Sequence, residues 1–442
     1  MSSNKKIDDA LARATDTKAC CVRSGALDAT PELVTKWFPG AKAALVVCDP
    51  RTRAAAGEKV EALLKAAGYE VSEHVLEPSG KPFHAEMPYV DEIQASLAAA
   101  RAKNPDVVPV AVGSGVVNDC TKLASGRLGT PYAVCGTAAS MDGYAAYGAS
   151  ITYNGAKQTF SCPAPRLIVL DVDVISAAPS GLMASGYADL FAKVPAGADW
   201  ILADALGVEP IEPVSWATVQ DGLADALGDP EGLAARDKAA YSALTEGLVL
   251  GGFAMQALKS SRVASGAEHQ FSHLWDMEHH VHNGDFVSHG CQVGVGTHYV
   301  AGLYERLLAY PVENIDSAKA VASWPSLDDQ LAAVKDLFAD SDALPVALAE
   351  TEAKYVDAAA VAAQIETLKR VWPGLKARLE KQLVPQSEIA RRLRVVGAPV
   401  LPEDISISKE RMEKSIKKAQ AIRRRFTVLD IVLRIGLWDE IV

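Results

Sequence analysis

The sequence predicts an α/β domain over residues 1–180 followed by an all-helical domain over 181–442. Three observations carry this expectation. Short runs that are apolar on both faces alternate with amphipathic stretches as far as Asp171, which is the pattern of a parallel sheet covered by helices. Past Pro179 the texture changes, and nearly every segment repeats at helical period with Pro or Gly at its joints. A chain of 442 residues also exceeds one core, because domains run to roughly 100–200 residues.

Taken in order, AALVVCD at 43–49 reads as a strand, TRAAAGEKVEALLKAAG at 52–68 as a helix and YEVSEHVLE at 69–77 as a second strand. DEIQASLAAARAKN at 91–104 continues as a helix into DVVPVAVGSG at 106–115, a strand that runs into glycines. PYAVCGT at 131–137 and PRLIVLD at 165–171 are further strands, and AYGASITYNGAKQTFSCPAP between them is a hairpin or loop excursion. The layout of this half is Rossmann-like. The second half is helical from Gly181 to the end. Its one biased segment, KERMEKSIKKAQAIRRRF at 409–426, holds eight Lys and Arg, yet Ile416, Ala419 and Ile422 recur at helical spacing. It therefore reads as the polar side of an ordinary terminal helix.

Lys and Arg total 44 against 55 Asp and Glu, a net charge of −11, so no nucleic-acid partner is expected. No apolar run reaches the roughly 18 residues that would insert into a membrane, and MSSNKKIDDALARATDTK is too charged for a signal peptide. The seven cysteines are odd in number and form no C-x-x-C pair, which favours reduced thiols and a cytoplasmic address.

Three segments carry chemistry. After the strand at 106–112 comes Gly113-Ser114-Gly115-Val116-Val117-Asn118-Asp119. Glycines at a strand-to-helix turn admit a pyrophosphate, and the helix amides supply partial positive charge. Gly136-Thr137-Ala138-Ala139-Ser140-Met141-Asp142 follows the next strand, and ligands of open α/β sheets lie outside strand carboxyl ends. Asp142 is the group there that would orient a hydroxyl. Seven of the nine histidines fall between 269 and 298, and imidazoles with a carboxylate suit a divalent metal. Either His269 with His273 or His269 with His289 is the pair. His279, His280 and His282 read as solvated loop histidines, and Asp189, one turn before Lys193, offers a carboxylate.

Together these segments resemble the iron-containing alcohol dehydrogenase / dehydroquinate synthase-like superfamily, and within it the sn-glycerol-1-phosphate dehydrogenases of the AraM-like branch. The matching text is VAVGSGVVNDCTKLAS, VCGTAASMDGYAAYGASITYNGAKQTF, MASGYADLFAKVPAGADW, SGAEHQFSHLWDMEHH and SHGCQVGVGTHYVAGLY. The resemblance implies a metal-dependent oxidoreductase that uses NAD or NADP to interconvert dihydroxyacetone phosphate and sn-glycerol 1-phosphate. It implies one divalent ion, zinc, nickel or iron, on Asp189, His269 and His289, which makes His273 a neighbour in the substrate cleft. Cofactor contacts carry over to Gly113, Ser114, Gly115, Asn118, Asp119, Thr137 and Ser140, and catalytic roles fall to Asp142 and His273. Asp49, where the family meets the adenosine ribose, favours NAD, whereas Arg51 would receive the 2′-phosphate of NADP. The substrate is a small phosphorylated molecule, for which Lys157 and Lys193 are the nearest basic residues, and a homo-oligomer, a dimer, is expected. The alternatives are a dehydrogenase for another polyol or phosphorylated small substrate, and a sugar-phosphate cyclase, which shares the fold but matches less well around TAASMDGY and AEHQFSH.

Overall fold

A computed structural model describes residues 5–78, 83–153 and 156–442. The chain forms two units, one of Met1–Leu190 with Ala217–Ser260 and the other of Phe191–Trp216 with Ser261–Val442.

The first unit is built on six parallel strands: β1 (Ala19–Arg23), β2 (Ala43–Cys48), β3 (Glu70–Val75), β4 (Val108–Gly113), β5 (Ala133–Gly136) and, after a separate antiparallel pair of β6 (Ala149–Tyr153) with β7 (Ala156–Phe160), β8 (Leu167–Asp171). Their order across the sheet is β3-β2-β4-β5-β8-β1. All residues of β2, β4, β5 and β8 are buried, which is why those strands read as unbroken apolar runs. The chain leaves β2 for β3 on one side and returns to β4 on the other. The carboxyl ends of β2 and β4 thus flank the switch point, where open α/β sheets bind ligands.

Two features of this unit depart from the sequence expectation. The edge strand β1 gave no clear apolar signal, because its residues are only partly buried. The stretch read as one helix over 52–68 instead opens with a wide turn at Arg53–Gly57 before the α-helix Glu58–Ala66.

Of the helices in this unit, α1 (Met87–Lys103) and α2 (Gly115–Arg127) pack on each other, and α3 (Ser180–Phe191) follows the last strand. A fourth, Lys238–Leu258, is helical by period yet packs on β1. Its buried Gln256 accepts the amides of Asp16 and Thr17 and donates to Ala145 O at 2.8 Å.

The second unit is helical. Its principal elements are α4 (Lys193–Ala205), α5 (Ala267–Met277), α6 (His289–Ala309), α7 (Ala358–Gln382), α8 (Lys409–Ala421) and α9 (Val428–Arg434). They share a core that includes Phe271, Trp275, Tyr304, Phe338, Leu368 and Ile416. Between α5 and α6 the chain makes a small hairpin, β9 (Val281–His282) with β10 (Asp285–Phe286). Its turn residues Asn283 and Gly284 both have positive φ, 53° and 82°, as an Asn-Gly hairpin turn requires.

Two readings of the sequence are corrected here. His280 is buried, its Nε2 2.6 Å from Ile405 O and its Nδ1 2.8 Å from Arg411 Nη1; a solvated loop position therefore does not describe it. Arg423, Arg424 and Arg425 do not extend the polar face of α8, which ends at Ala421. Ile416 and Ala419 are buried as their spacing predicts. Among the described residues no helix is long and apolar enough to cross a membrane. All seven cysteines are free thiols.

Candidate active site

In the first unit, β4 runs into α2 through Gly113 and Ser114. A Cβ at Gly113 would lie 2.6 Å from Val117 Cβ, so only glycine lets the strand pass this closely over the helix it starts. Ser114 is the N-cap residue but makes no side-chain cap bond, and the first amides of α2 point to the strand ends, as anion binding requires. Asn118 and Asp119 serve the frame of this turn. Tyr132 Oη donates to Asn118 Oδ1 at 3.0 Å, and Asn118 Nδ2 donates to Asp119 Oδ1 at 3.0 Å. Asp119 Oδ2 accepts the Ser150 amide at 3.2 Å, tying the turn to β6. Asp49, after β2, caps its own turn: its carboxylate accepts the amides of Arg51 and Thr52 at 2.8 and 3.1 Å. Arg51 is exposed.

The loop after β5 is clamped to the same frame. The Thr137 amide donates to Gly113 O at 3.1 Å, and Tyr144 Oη donates to Ala138 O at 2.9 Å. Lys122, on α2, is almost fully buried and its ammonium donates to the carbonyls of Gly143, Ala146 and Gly148 at 2.9, 3.1 and 3.1 Å. Sequence reading passed over this lysine, although a lone Lys three residues after Asp119 in an apolar helical stretch was visible. Two glycines then let helices touch the loop backbone. A Cβ at Gly186 on α3 would lie 2.0 Å from Ala139 O, and one at Gly252 would lie 2.6 Å from Asp142 O. Three residues beyond Gly186, the buried Asp189 accepts the Asp142 amide on Oδ2 at 3.2 Å, while Ser185 Oγ donates to Ser140 O at 3.3 Å. Thr137 is buried, whereas Ser140 and Asp142 are half-buried. The structure therefore brings Ser140, Asp142 and Asp189 together.

In the second unit α5 carries His269 and His273, and α6 begins at His289. A Cβ at Gly296 would lie 2.5 Å from Glu268 O, so the glycine lets α6 close on α5 two turns after His289. Ring centroids of His269 and His289 are 5.2 Å apart, and His273 stands 6.2 Å from the first and 5.8 Å from the second. The buried Glu268 accepts His269 Nδ1 at 2.8 Å and the Gly266 amide at 2.6 Å. His289 Nδ1 lies 2.9 Å from Ser272 Oγ. Both rings are thus oriented through Nδ1, which suits Nε2 to a cation and matches the carboxylate-backed imidazoles of metal sites. This paired anchoring fits a divalent ion. Neither Glu268 nor Ser272 stood out in the sequence, because such partners carry no spacing rule.

Behind Glu268, Asp199 accepts Tyr304 Oη at 2.6 Å and the amides of Ala267 and Val428 at 2.7 and 2.8 Å. Burial, together with the Glu268 carboxylate, pushes the Asp199 carboxyl up to about 7. Lys193, at the start of α4, is fully buried, and the Lys157 side chain lies outside the described residues.

Residues 21–179 match the iron-containing alcohol dehydrogenase family. The glycerol-1-phosphate dehydrogenase [NAD(P)+] of Geobacillus thermodenitrificans is 30% identical over 397 residues, 88% of this chain and 86% of that one. The chain belongs to the glycerol-1-phosphate dehydrogenase family of the iron-containing alcohol dehydrogenases. Within that family, the enzyme of the same name from Pyrococcus furiosus is 32% identical over 59% of this chain and 71% of its own. Among solved structures, the maleylacetate reductase of Agrobacterium tumefaciens aligns with a TM-score of 0.59 over 97% of this chain and 96% of that one, at 14% identity. The iron-containing alcohol dehydrogenase of Thermococcus thioreducens aligns with a TM-score of 0.58, over 96% and 98%, also at 14% identity. At that identity the likeness bears on the fold.

Proposed function

We propose that this chain is a metal-dependent oxidoreductase that uses reduced NAD or NADP to interconvert dihydroxyacetone phosphate and sn-glycerol 1-phosphate. The observation that carries the reading is the pair of imidazoles, His269 and His289, each oriented through Nδ1, in a chain of this family. Asp189, His269 and His289 form the proposed donor set. A divalent cation bound there supplies Lewis-acid polarisation of the substrate carbonyl. Gly113, Ser114 and Gly115 admit the cofactor pyrophosphate at the start of α2, and Thr137 and Ser140 line its path. Asn118 and Asp119 hold that turn in shape through Tyr132 and Ser150.

Asp142, its amide fixed on Asp189, orients a substrate hydroxyl. His273, half-buried beside the two other rings, is the group assigned to proton transfer at the substrate oxygen, since an imidazole has both a donor and an acceptor nitrogen. The free thiols favour a reducing compartment, and the cytoplasm and a homodimer complete the reading.

The test uses metal-reconstituted protein with NADH and NADPH against phosphorylated and unphosphorylated ketones. Net oxidation of reduced nicotinamide with dihydroxyacetone phosphate, abolished by a chelator and restored by metal, is the expected result. Turnover without net change in nicotinamide would mark a cyclase instead, and activity that survives full chelation would remove the metal from the scheme.

A further inference from the structure

A chain of net charge −11 that accepts a phosphorylated substrate needs a local excess of positive charge, and the second unit has one. Just past the end of α8 a cavity of about 450 Å³ is lined by Glu209, Glu350, Arg423, Arg424 and Arg425. Both acids of its wall are matched. Glu350 receives Arg424 through the backbone amide, Nε and Nη2 at 2.6, 2.9 and 2.6 Å. Glu209 Oε2 lies 3.2 Å from Nε of the buried Arg262.

Arg423 and Arg425 are the surplus. Among the described residues neither forms an ion pair, and both are half-buried. Their partners are neutral. Arg425 Nη1 donates to Ser265 O and Oγ, each at 2.7 Å, and its Nη2 to Ser261 Oγ at 3.0 Å. Arg423 Nη1 donates to the same Ser265 Oγ at 3.2 Å, which is its one hydrogen bond among the described residues. Arg425 is spent on the 261–265 loop, whereas Arg423 keeps most of its five donors for something else. Burial holds both guanidinium groups below the usual arginine range, outweighing the attraction of the Glu350 and Glu268 carboxylates for Arg423 and of Glu209 and Glu268 for Arg425.

The place is as telling as the charge. Ser265, which both guanidinium groups share, leads through Gly266 into α5, and His269 stands in the first turn of that helix. Gly266 is extended and only 267–269 advance at helical rise, so Ser265 and His269 stand at most about 10 Å apart along the chain. In dihydroxyacetone phosphate the phosphorus is three bonds from the carbonyl carbon. Two amides at the start of α5 are already taken, Gly266 by Glu268 Oε1 and Ala267 by Asp199 Oδ2, which leaves the guanidinium groups as the charged donors here.

We propose that Arg423, supported by Arg425 and the Ser265 hydroxyl, binds the phosphate of the substrate and sets the preference for a phosphorylated over an unphosphorylated ketone. This rests on the dehydrogenase reading above. Arg423 takes the part that the sequence suggested for Lys157 or Lys193.

The experiment compares metal-loaded wild type, Arg423→Gln and Arg423→Lys on dihydroxyacetone phosphate and dihydroxyacetone, with calorimetric titration of inorganic phosphate alongside. Loss of a charge-assisted contact should lower kcat/KM for the phosphorylated ketone by roughly 10- to 100-fold. The ratio of the two ketones' kcat/KM should fall with it, and Arg423→Lys should regain part of the loss. Inorganic phosphate should bind wild type and not Arg423→Gln. An unaltered ketone ratio in Arg423→Gln, with wild type active on dihydroxyacetone phosphate, overturns the proposal while sparing the reaction. If wild type fails to reduce the phosphorylated ketone, the reaction is wrong. The phosphate titration then decides the subsite alone, and equal binding by wild type and Arg423→Gln overturns it.

Discussion

Glu268 is fully buried, and its Oε1 serves both His269 Nδ1 and the Gly266 amide. One carboxylate oxygen thereby fixes the ring and the helix start that carries it. Replacing it by glutamine keeps the volume but removes the negative charge that makes the imidazole a better donor, and the amide group must choose between its two partners. Such partners of metal-binding histidines typically contribute 10- to 100-fold in metal affinity. We expect Glu268→Gln to weaken zinc binding by about that factor while the far-ultraviolet circular dichroism stays native. Competition against a chromophoric chelator measures it, and wild-type affinity in the variant would reduce Glu268 to a helix-start residue. At this scale the sequence was legible only in part. His269, His273, His289 and Asp189 draw notice as imidazoles and a carboxylate in apolar helical text, and only the family resemblance chooses among them, whereas Glu268, Ser272 and Lys122 act through partners distant in space or unremarkable in spacing.

At the scale of elements, α3 shows how a backbone contact places a functional group. Gly186 and Gly181 lie on the same helix, yet a Cβ at Gly186 would stand 2.0 Å from Ala139 O, and one at Gly181 would meet nothing within 4 Å. Gly186→Ala must push α3 off the 139–140 loop and with it the Asp189–Asp142 contact. A cost of about 1–3 kcal/mol is expected from overpacking, together with a loss of turnover. Gly181→Ala should be neutral or stabilising by up to about 1 kcal/mol, since alanine loses less backbone entropy in a helix. Thermal melts of the pair check this, and equal behaviour would mean the loop yields. Elements were legible wherever burial was two-sided, as in β2, β4 and β8. They were not where burial is partial, as in β1, or where a helix stops without proline or glycine, as α8 does at Ala421. The three arginines past that stop were consequently assigned to the wrong environment.

For the whole molecule, the proposed donor set makes one quantitative demand. The set joins Asp189 to two histidines far along the chain, His269 and His289. A cation that takes all three as ligands stabilises the fold only through their joint presence. By mass action a metal at 100 times its dissociation constant adds about 2.7 kcal/mol to the stability of the state that binds it. Zinc or nickel should therefore raise the Tm of wild type in a concentration-dependent way, and a chelator should reverse the rise. His269→Ala, His289→Ala and Asp189→Asn should each flatten that response. The last variant decides the matter, because an imidazole pair with solvent can hold a cation weakly. If Asp189→Asn keeps the full wild-type rise while the histidine variants lose it, the carboxylate is no ligand. Asp189 would then be confined to holding the Asp142 amide, and the third donor would have to be another side chain or solvent.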